Sequence, residues 1–352
     1  MWAWAGSTAR HCGRCCAMAS ERILCLGAGR MGRGIAVCFA YAGHEVTLLD
    51  FKPRERDAFI ALAKSALTEI RSTLTTLAGF GLFDAADVTA IMSRVSVVPE
   101  TDAAPALVEA DIVFEGVPEV VETKRGALAR ASALMRPDAI LASATSTILV
   151  DDLSFIVAEP ERFLNAHWLN PAYIVPLVEV SPGRSTRAEV IARLNAVLES
   201  VGKVPVVCAP SPGFIVPRIQ ALAMNEAARM VEEGVASAAD IDKAVKYGFG
   251  FRFGVLGMLE FIDWRGGDVL CQASRYLSTA LNSPRYAAPE IIERKLREGR
   301  TGLATGQGFL DYRGLDIPAY RRARLGALVE RLRAEGLARP PVLPERGVPE
   351  KD

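Results

Sequence analysis

Residues 22–36 read RILCLGAGRMGRGIA. The apolar run RILCLG has the length and composition of a buried strand. It runs into a glycine-rich turn and then into GIAVCFAYAG, a helical pattern that stops at Gly43. Gly27, Gly29 and Gly32 form G-x-G-x-x-G between that strand and that helix. The first glycine permits the tight turn, the second lets backbone approach a pyrophosphate, and the third lets helix pack closely on strand. The helix start adds free N–H groups and a partial positive charge. Arg30 and Met31 lie inside the same turn and are assigned with the glycines to a dinucleotide site. The next strand, EVTLLD, ends on Asp50. A carboxylate there accepts hydrogen bonds from ribose hydroxyls and repels a 2′-phosphate, which favours NAD over NADP. Lys52 and Arg54 follow it and soften that preference.

Outward from this unit, β-rich runs alternate with helical ones. A long helical excursion is expected near residues 54–77, another near 85–92, then strands VSVV and DIVFEG, a helix near 119–135, and strands AILASA, RFLNAH, PLVEV and VPVVC. Alternation of this kind predicts an α/β fold of the Rossmann type, doubly wound, with a mostly parallel sheet. The character changes after APSPGF. Helical periodicity then dominates, with Ser237 a candidate N-cap, so an all-α C-terminal domain is expected. The expected boundaries are an irregular leader at 1–19, a nucleotide-binding domain at 20–209, a helical domain for substrate and dimerisation at 210–336, and a tail at 337–352.

The chain has 352 residues and equal numbers of basic and acidic side chains, 41 each. That balance argues against a nucleic-acid binder. No apolar run has the length of a membrane span. Of the seven cysteines, Cys25, Cys38, Cys208 and Cys271 read as small core residues. The odd total of seven and the irregular spacing suit a reducing compartment, and the cytoplasm is expected. Cys12, Cys15 and Cys16 lack a second pair at ligand spacing, so no metal site is expected. The leader is Arg-containing and acid-free, like a mitochondrial transit segment, which would place the chain in the matrix. Met18, directly before the first strand, offers the alternative of a later start.

A nicotinamide cofactor moves a hydride but no proton, so its enzyme needs a separate acid/base group. An imidazole both takes and gives a proton near neutral pH. His11 lies in the leader and His44 at a strand start. His167, in FLNAHWLNP, follows a strand-like run, and Glu179 stands twelve residues on in PLVEV as a possible orienting carboxylate.

Seven motifs now stand in order: GAGRMGRGIA, FEGVPEVVETK, SATST, HWLNP, PLVEV, PGFIVPR and GQGFLDY. In order and spacing the chain resembles the L-3-hydroxyacyl-CoA dehydrogenase family over about residues 21–315. That family includes dehydrogenases of free hydroxy acids such as L-gulonate and L-carnitine, and the non-catalytic lens protein lambda-crystallin. The resemblance implies an NAD domain followed by a helical domain that forms a homodimer. It implies His167 as catalytic base, Glu179 as its orienting partner and Ser146 as hydrogen-bond partner of the substrate oxygen. It further implies that Glu119 and Lys124 contact the nicotinamide end of the cofactor and that Asn170 lies near the reacting groups.

Two departures bear on the substrate. Pro217 stands where the family usually has asparagine, and Asn225 is a candidate replacement. Arg252, in YGFGFRFGVLG, occupies a position like that of an arginine in free-acid members. A guanidinium binds carboxylate through two parallel hydrogen bonds. A salt bridge from Arg252 to Asp263 or Glu260 is the structural alternative. Lys64 and Arg71 share a helix face and are the sparse candidates for coenzyme A phosphates. The first expectation is therefore NAD-dependent oxidation of a short-chain L-3-hydroxyacyl-CoA such as 3-hydroxybutyryl-CoA. The second is oxidation of a free hydroxy acid anchored by Arg252.

Overall fold

The computed structural model describes residues 20–341. The leader cysteines and His11 lie outside them, as does the end of the tail. Two compact units divide the chain, one through Ala223 and one from Met224, so the division falls inside the helix Val216–Glu232.

The first unit is built on eight strands: β1 Ile23–Leu26, β2 Val46–Leu49, β3 Val95–Val98, β4 Ile112–Glu115, β5 Ile140–Ser143, β6 Phe163–Trp168, β7 Leu177–Pro182 and β8 Val204–Val207. They form one sheet in the order β3-β2-β1-β4-β5-β6-β7-β8. Every pair is parallel except β6 with β7. The order reverses between β1 and β4, which is where doubly wound sheets open a crevice at the strands' carboxyl ends.

Strand side chains alternate between two cores. Ile23, Cys25, Ile112 and Phe114 face one side, where the helices Arg30–Tyr41 and Arg56–Gly79 contribute Ile35, Phe39, Ile70 and Leu74. Leu24, Leu26 and Val113 face the other, covered by Leu107 and Leu128 from the helices Ala103–Glu109 and Val121–Leu134. Burial of both faces explains why β1, β4 and β5 read as continuous apolar runs rather than alternating ones. Cys25 and Cys38 are part of this packing, and burial pushes the Cys38 thiol up to about 11. Cys208 is half-buried, whereas Cys271 is buried in the second unit.

The second unit is helical: Ala238–Ala244, a π-helical turn Val245–Gly250, Met258–Arg265, Gly267–Ala280, Glu290–Arg297 and Ile317–Ala334. Ser237 caps the first of these by accepting from the Asp240 backbone N–H. Sequence reading did not specify the helices Ala103–Glu109, Val150–Ser154 and Met258–Arg265. Each is at most eight residues long, too short for apolar periodicity to show.

Asp263 organises the segment that carries GQGFLDY. It is buried, and its carboxylate accepts from the backbone N–H groups of Phe309 and Leu310, both at 2.8 Å, and from the Tyr312 hydroxyl. A Cβ on Gly302, whose φ is +127°, would lie 2.2 Å from the Asp263 carbonyl oxygen. Only glycine allows that approach. Gly302→Ala is therefore expected to lower the stability of this unit by about 3 kcal/mol or more in urea unfolding. Gly299→Ala has a positive φ but no neighbour within 4 Å, and is expected to cost only about 1 kcal/mol.

Candidate active site

The predicted residues of the first unit gather where strands end. Gly27 follows β1, Asp50 follows β2, Glu119 follows β4, Ser146 follows β5 and Asn170 follows β6. Parallel neighbours place those ends on one edge of the sheet.

Gly27 adopts φ +100°, and a Cβ on Gly32 would lie 2.2 Å from the Gly27 carbonyl oxygen. The helix Arg30–Tyr41 can sit this close to β1 only because residue 32 has no side chain. Gly29, the residue before that helix, has open space where a Cβ would be. A groove of about 620 Å³ is lined by Gly27, Gly29, Arg30, Met31, Asp50 and Asn170, among others. Asp50 is buried, and Arg54 Nε donates to its Oδ2, leaving Oδ1 without a partner among the described residues. Open backbone at Gly29, unpaired N–H groups of a helix start and an acid at the end of β2 fit a dinucleotide. Lys52, Arg54 and Arg130 line the same groove. Among the described residues no group of three or more His, Cys, Asp or Glu is arranged to hold a metal ion.

A charged network lies beneath the loops after β4 and β5. Glu115, at the end of β4, is fully buried. Its carboxylate accepts from Lys124 Nζ at 2.9 and 3.2 Å, from the Val117 N–H at 2.8 Å and from the Ser143 hydroxyl. Lys124 is 1 % exposed and reaches on to Glu119 Oε2 at 3.2 Å. Glu119 Oε1 in turn accepts from the N–H of Ser146 at 3.0 Å, the N–H of Thr147 at 3.2 Å and the hydroxyls of Thr145 and Thr147. Glu119 thus ties SATST to the β4 loop and holds exposed Ser146 by its backbone. Glu115 and Thr145 were not identified from sequence. A glutamate closing an apolar strand is a visible anomaly, but its partner becomes apparent only when β4 and the following helix are packed.

His167 and Glu179 are direct partners in the antiparallel register of β6 and β7. Both side chains are buried, and His167 Nδ1 lies 2.7 Å from Glu179 Oε2. A carboxylate only accepts, so Nδ1 carries a proton; the neutral ring then has its lone pair on Nε2. Glu179 Oε1 accepts from the backbone N–H groups of Ile215 at 2.9 Å and Val216 at 2.8 Å, at the start of the helix Val216–Glu232. Its negative charge is thereby matched by two donors and the positive end of a helix. Pro217, second in that helix, sits where an N–H would have no helical acceptor. Phe214 lies flat on the imidazole, with ring centroids 5.1 Å apart and planes 5° from parallel. His44 is different. Its Nδ1 accepts from the Glu21 N–H and its ring meets the edge of Phe39, a structural setting.

In the second unit, Arg252 lies over the Phe261 ring at 4.6 Å and has no carboxylate partner among the described residues. Asp263 is taken up as described above. Glu260 accepts from Arg324 Nε at 2.7 Å, the Gly257 N–H and the Tyr320 hydroxyl. Neither carboxylate forms the anticipated salt bridge with Arg252. Asn225 is exposed.

The charged network makes a pH prediction. Burial alone would raise the Glu119 carboxyl, but the Thr145 hydroxyl and the Lys124 ammonium outweigh it and hold the group below the usual carboxylate range. The resulting stabilisation is present above the unfolded-state value and is lost as pH falls through the folded one. Glu119→Gln is expected to melt below the parent at about pH 7, with the gap closing below about pH 4 in thermal unfolding.

A family model described as 3-hydroxyacyl-CoA dehydrogenase, NAD binding domain, matches residues 22–211, and its C-terminal counterpart matches residues 213–312. A 5-formyl-3-hydroxy-2-methylpyridine 4-carboxylate 5-dehydrogenase of Mesorhizobium japonicum is 31% identical over 88% of this chain and 96% of its own length. An L-carnitine dehydrogenase of Streptomyces coelicolor is 34% identical over 77% of this chain and 82% of its own. The crystal structure of a 3-hydroxyacyl-CoA dehydrogenase from Archaeoglobus fulgidus superposes with a TM-score of 0.70 at 31% identity, covering 90% of this chain and all of the other. With a nucleotide groove, a paired histidine and matches over both units, the chain belongs to the 3-hydroxyacyl-CoA dehydrogenase family, NAD-dependent oxidoreductases that act on CH–OH groups.

Proposed function

We propose that this chain oxidises the hydroxyl of a short-chain L-3-hydroxyacyl-CoA, such as 3-hydroxybutyryl-CoA, to the 3-oxoacyl-CoA. The observation that carries the reading is the buried His167–Glu179 pair. NAD, when bound, supplies the hydride acceptor. His167 Nε2 takes the hydroxyl proton, and Glu179 keeps the ring in the tautomer that allows this and offsets the charge of the imidazolium. Ser146 holds the substrate oxygen, on a loop that Glu119 pins in place. Asn170, which lines the groove, lies near the reacting groups. Gly27, Gly29, Arg30, Met31, Gly32 and Asp50 hold the dinucleotide, and Glu119 and Lys124 order its nicotinamide end. For the thioester, Lys64 and Arg71 border one concavity with Phe59, Ile60, Leu67 and Met92. An apolar floor with two cations at its edge suits an adenine and its phosphates.

A second reading is favoured by Arg252, whose two candidate carboxylates are both occupied by other donors. In it, Arg252 grips the carboxylate of a free hydroxy acid of the carnitine, gulonate or 3-hydroxy acid type. Relatives whose names refer to small acids support it.

The proposed working form is a homodimer through the C-terminal helices, in the cytoplasm, or in the mitochondrial matrix if the leader is a transit segment. Support for the dimer is the exposure of apolar side chains on those helices, among them Met224, Leu277, Leu325 and Val329. Among the described residues no helix is long and apolar enough to cross a membrane.

His167→Ala is expected to lower kcat by at least about 100-fold while leaving NAD affinity intact; an equal loss of both would count against the base. NADH formation with 3-hydroxybutyryl-CoA, carnitine, gulonate and free 3-hydroxybutyrate separates the two substrate readings. Arg252→Ala is expected to reduce kcat/KM for a free acid by about tenfold or more, and to spare the thioester. Equal effects on both would remove the carboxylate anchor.

A further inference from the structure

We infer that Phe214 is a positioning residue for the His167–Glu179 pair, fixing the imidazole with its ring and the carboxylate with its backbone. The inference rests on the reading of His167 as base. Among the described residues only Phe214 and Asn282 are non-glycine residues with positive φ, at 46° and 45°. Asparagine tolerates the left-handed region, since its short polar side chain can bond locally; a phenylalanine there is strained. Strain of this kind persists only where surrounding structure over-determines it, and it clusters at functional sites.

The surroundings here are specific. Gly213, at φ +74°, precedes Phe214, so two consecutive left-handed residues turn the chain immediately before the helix Val216–Glu232. The turn is closed by the Phe214 N–H donating to the Ser211 carbonyl and the Arg218 N–H to the Gly213 carbonyl, both at 3.0 Å. The next two N–H groups, of Ile215 and Val216, then both meet Glu179 Oε1. The same turn lays the buried Phe214 ring parallel to the imidazole. Glycine at 214 would relieve the backbone and leave both N–H donors in place, but it would supply no ring. The strain is thus tied to the side chain.

The ring has two consequences. A parallel neighbour at this spacing restricts rotation of the imidazole about its Cβ–Cγ bond, which keeps Nδ1 on Glu179 and Nε2 in a fixed direction. Its π face also attracts a cation, so it favours the imidazolium formed when the substrate proton is taken. Simple apolar burial of Phe214 would require neither the flat geometry nor an aromatic ring.

The test uses the full chain with (S)-3-hydroxybutyryl-CoA or free 3-hydroxybutyrate, whichever the parent turns over. Phe214→Leu is expected to lower kcat about tenfold with KM for NAD within about twofold. The downfield proton resonance of His167 Nδ1, identified by its loss in Glu179→Gln, is expected to move upfield or exchange faster with water. Phe214→Tyr is expected to recover most of the lost turnover. Parent-like kcat and resonance in Phe214→Leu would overturn the inference. Should that variant fail to fold, fluorinated phenylalanines at position 214 keep the shape and weaken the π face. A stepwise fall in kcat with added fluorine supports the role, and a flat series overturns it. Parent-like turnover in His167→Ala would remove the base and this inference with it. An inactive His167→Ala beside a parent-like Phe214→Leu removes this inference alone.

Discussion

A fully buried carboxylate must have its charge answered, and in the first unit Glu179 meets that demand with both oxygens. One oxygen faces His167 Nδ1 and the other takes two backbone N–H groups at a helix start. Removing an ion from water costs several kcal/mol unless its lone pairs are filled. Each partner is therefore constrained by the others. The antiparallel turn of β7 onto β6 sets the pair face to face, and the strained turn at Phe214 brings the helix to the remaining oxygen. The single antiparallel pairing in an otherwise parallel sheet is what makes histidine and glutamate cross-strand neighbours.

A second buried charge works by the same logic. Glu115 and Lys124 neutralise one another beneath the sheet edge, and Lys124 extends to Glu119. Breaking such a pair by removing one partner typically costs about 3–5 kcal/mol, since the other is left uncompensated. Glu119 then spends one oxygen on the SATST loop. The loops after β4 and β5 are consequently a single mechanical piece, and the backbone of Ser146 is held without calling on its hydroxyl. A hydroxyl left free of internal bonds is available to a ligand.

The opening strand, turn, helix and second strand are legible in residues 22–50, because glycine spacing and apolar runs act locally. Gly27 and Gly32 behave as their positions in the turn require. The residues offer Glu179 as an orienting carboxylate for His167 and the resemblance implies the pair, but a separation of twelve residues alone does not fix the register that joins them. Glu115 and Phe214 were missed for different reasons. Glu115 reads as the end of a strand until its lysine is placed. Phe214 reads as one more apolar residue, since no local pattern announces a left-handed phenylalanine. GQGFLDY stands out as a motif whose reason is Asp263, more than forty residues earlier in the chain. Contacts of that separation leave no periodic trace.

In the second unit, Arg252 is left without a carboxylate partner among the described residues because the nearby carboxylates are already engaged. Asp263 is committed to two backbone N–H groups and a tyrosine hydroxyl, and Glu260 to an arginine, a tyrosine and a helix N-terminus. Moving Asp263 onto Arg252 would strand the buried Tyr312 hydroxyl, and an unsatisfied buried donor costs about 1–3 kcal/mol. Arg252 is instead stabilised through the face of Phe261, an interaction that orients a guanidinium while leaving its N–H fork unspent. Lysine at this position would keep the charge but lose the planar fork, so the identity of the residue matters as well as its sign. A guanidinium in that state keeps the two parallel N–H groups that a carboxylate accepts.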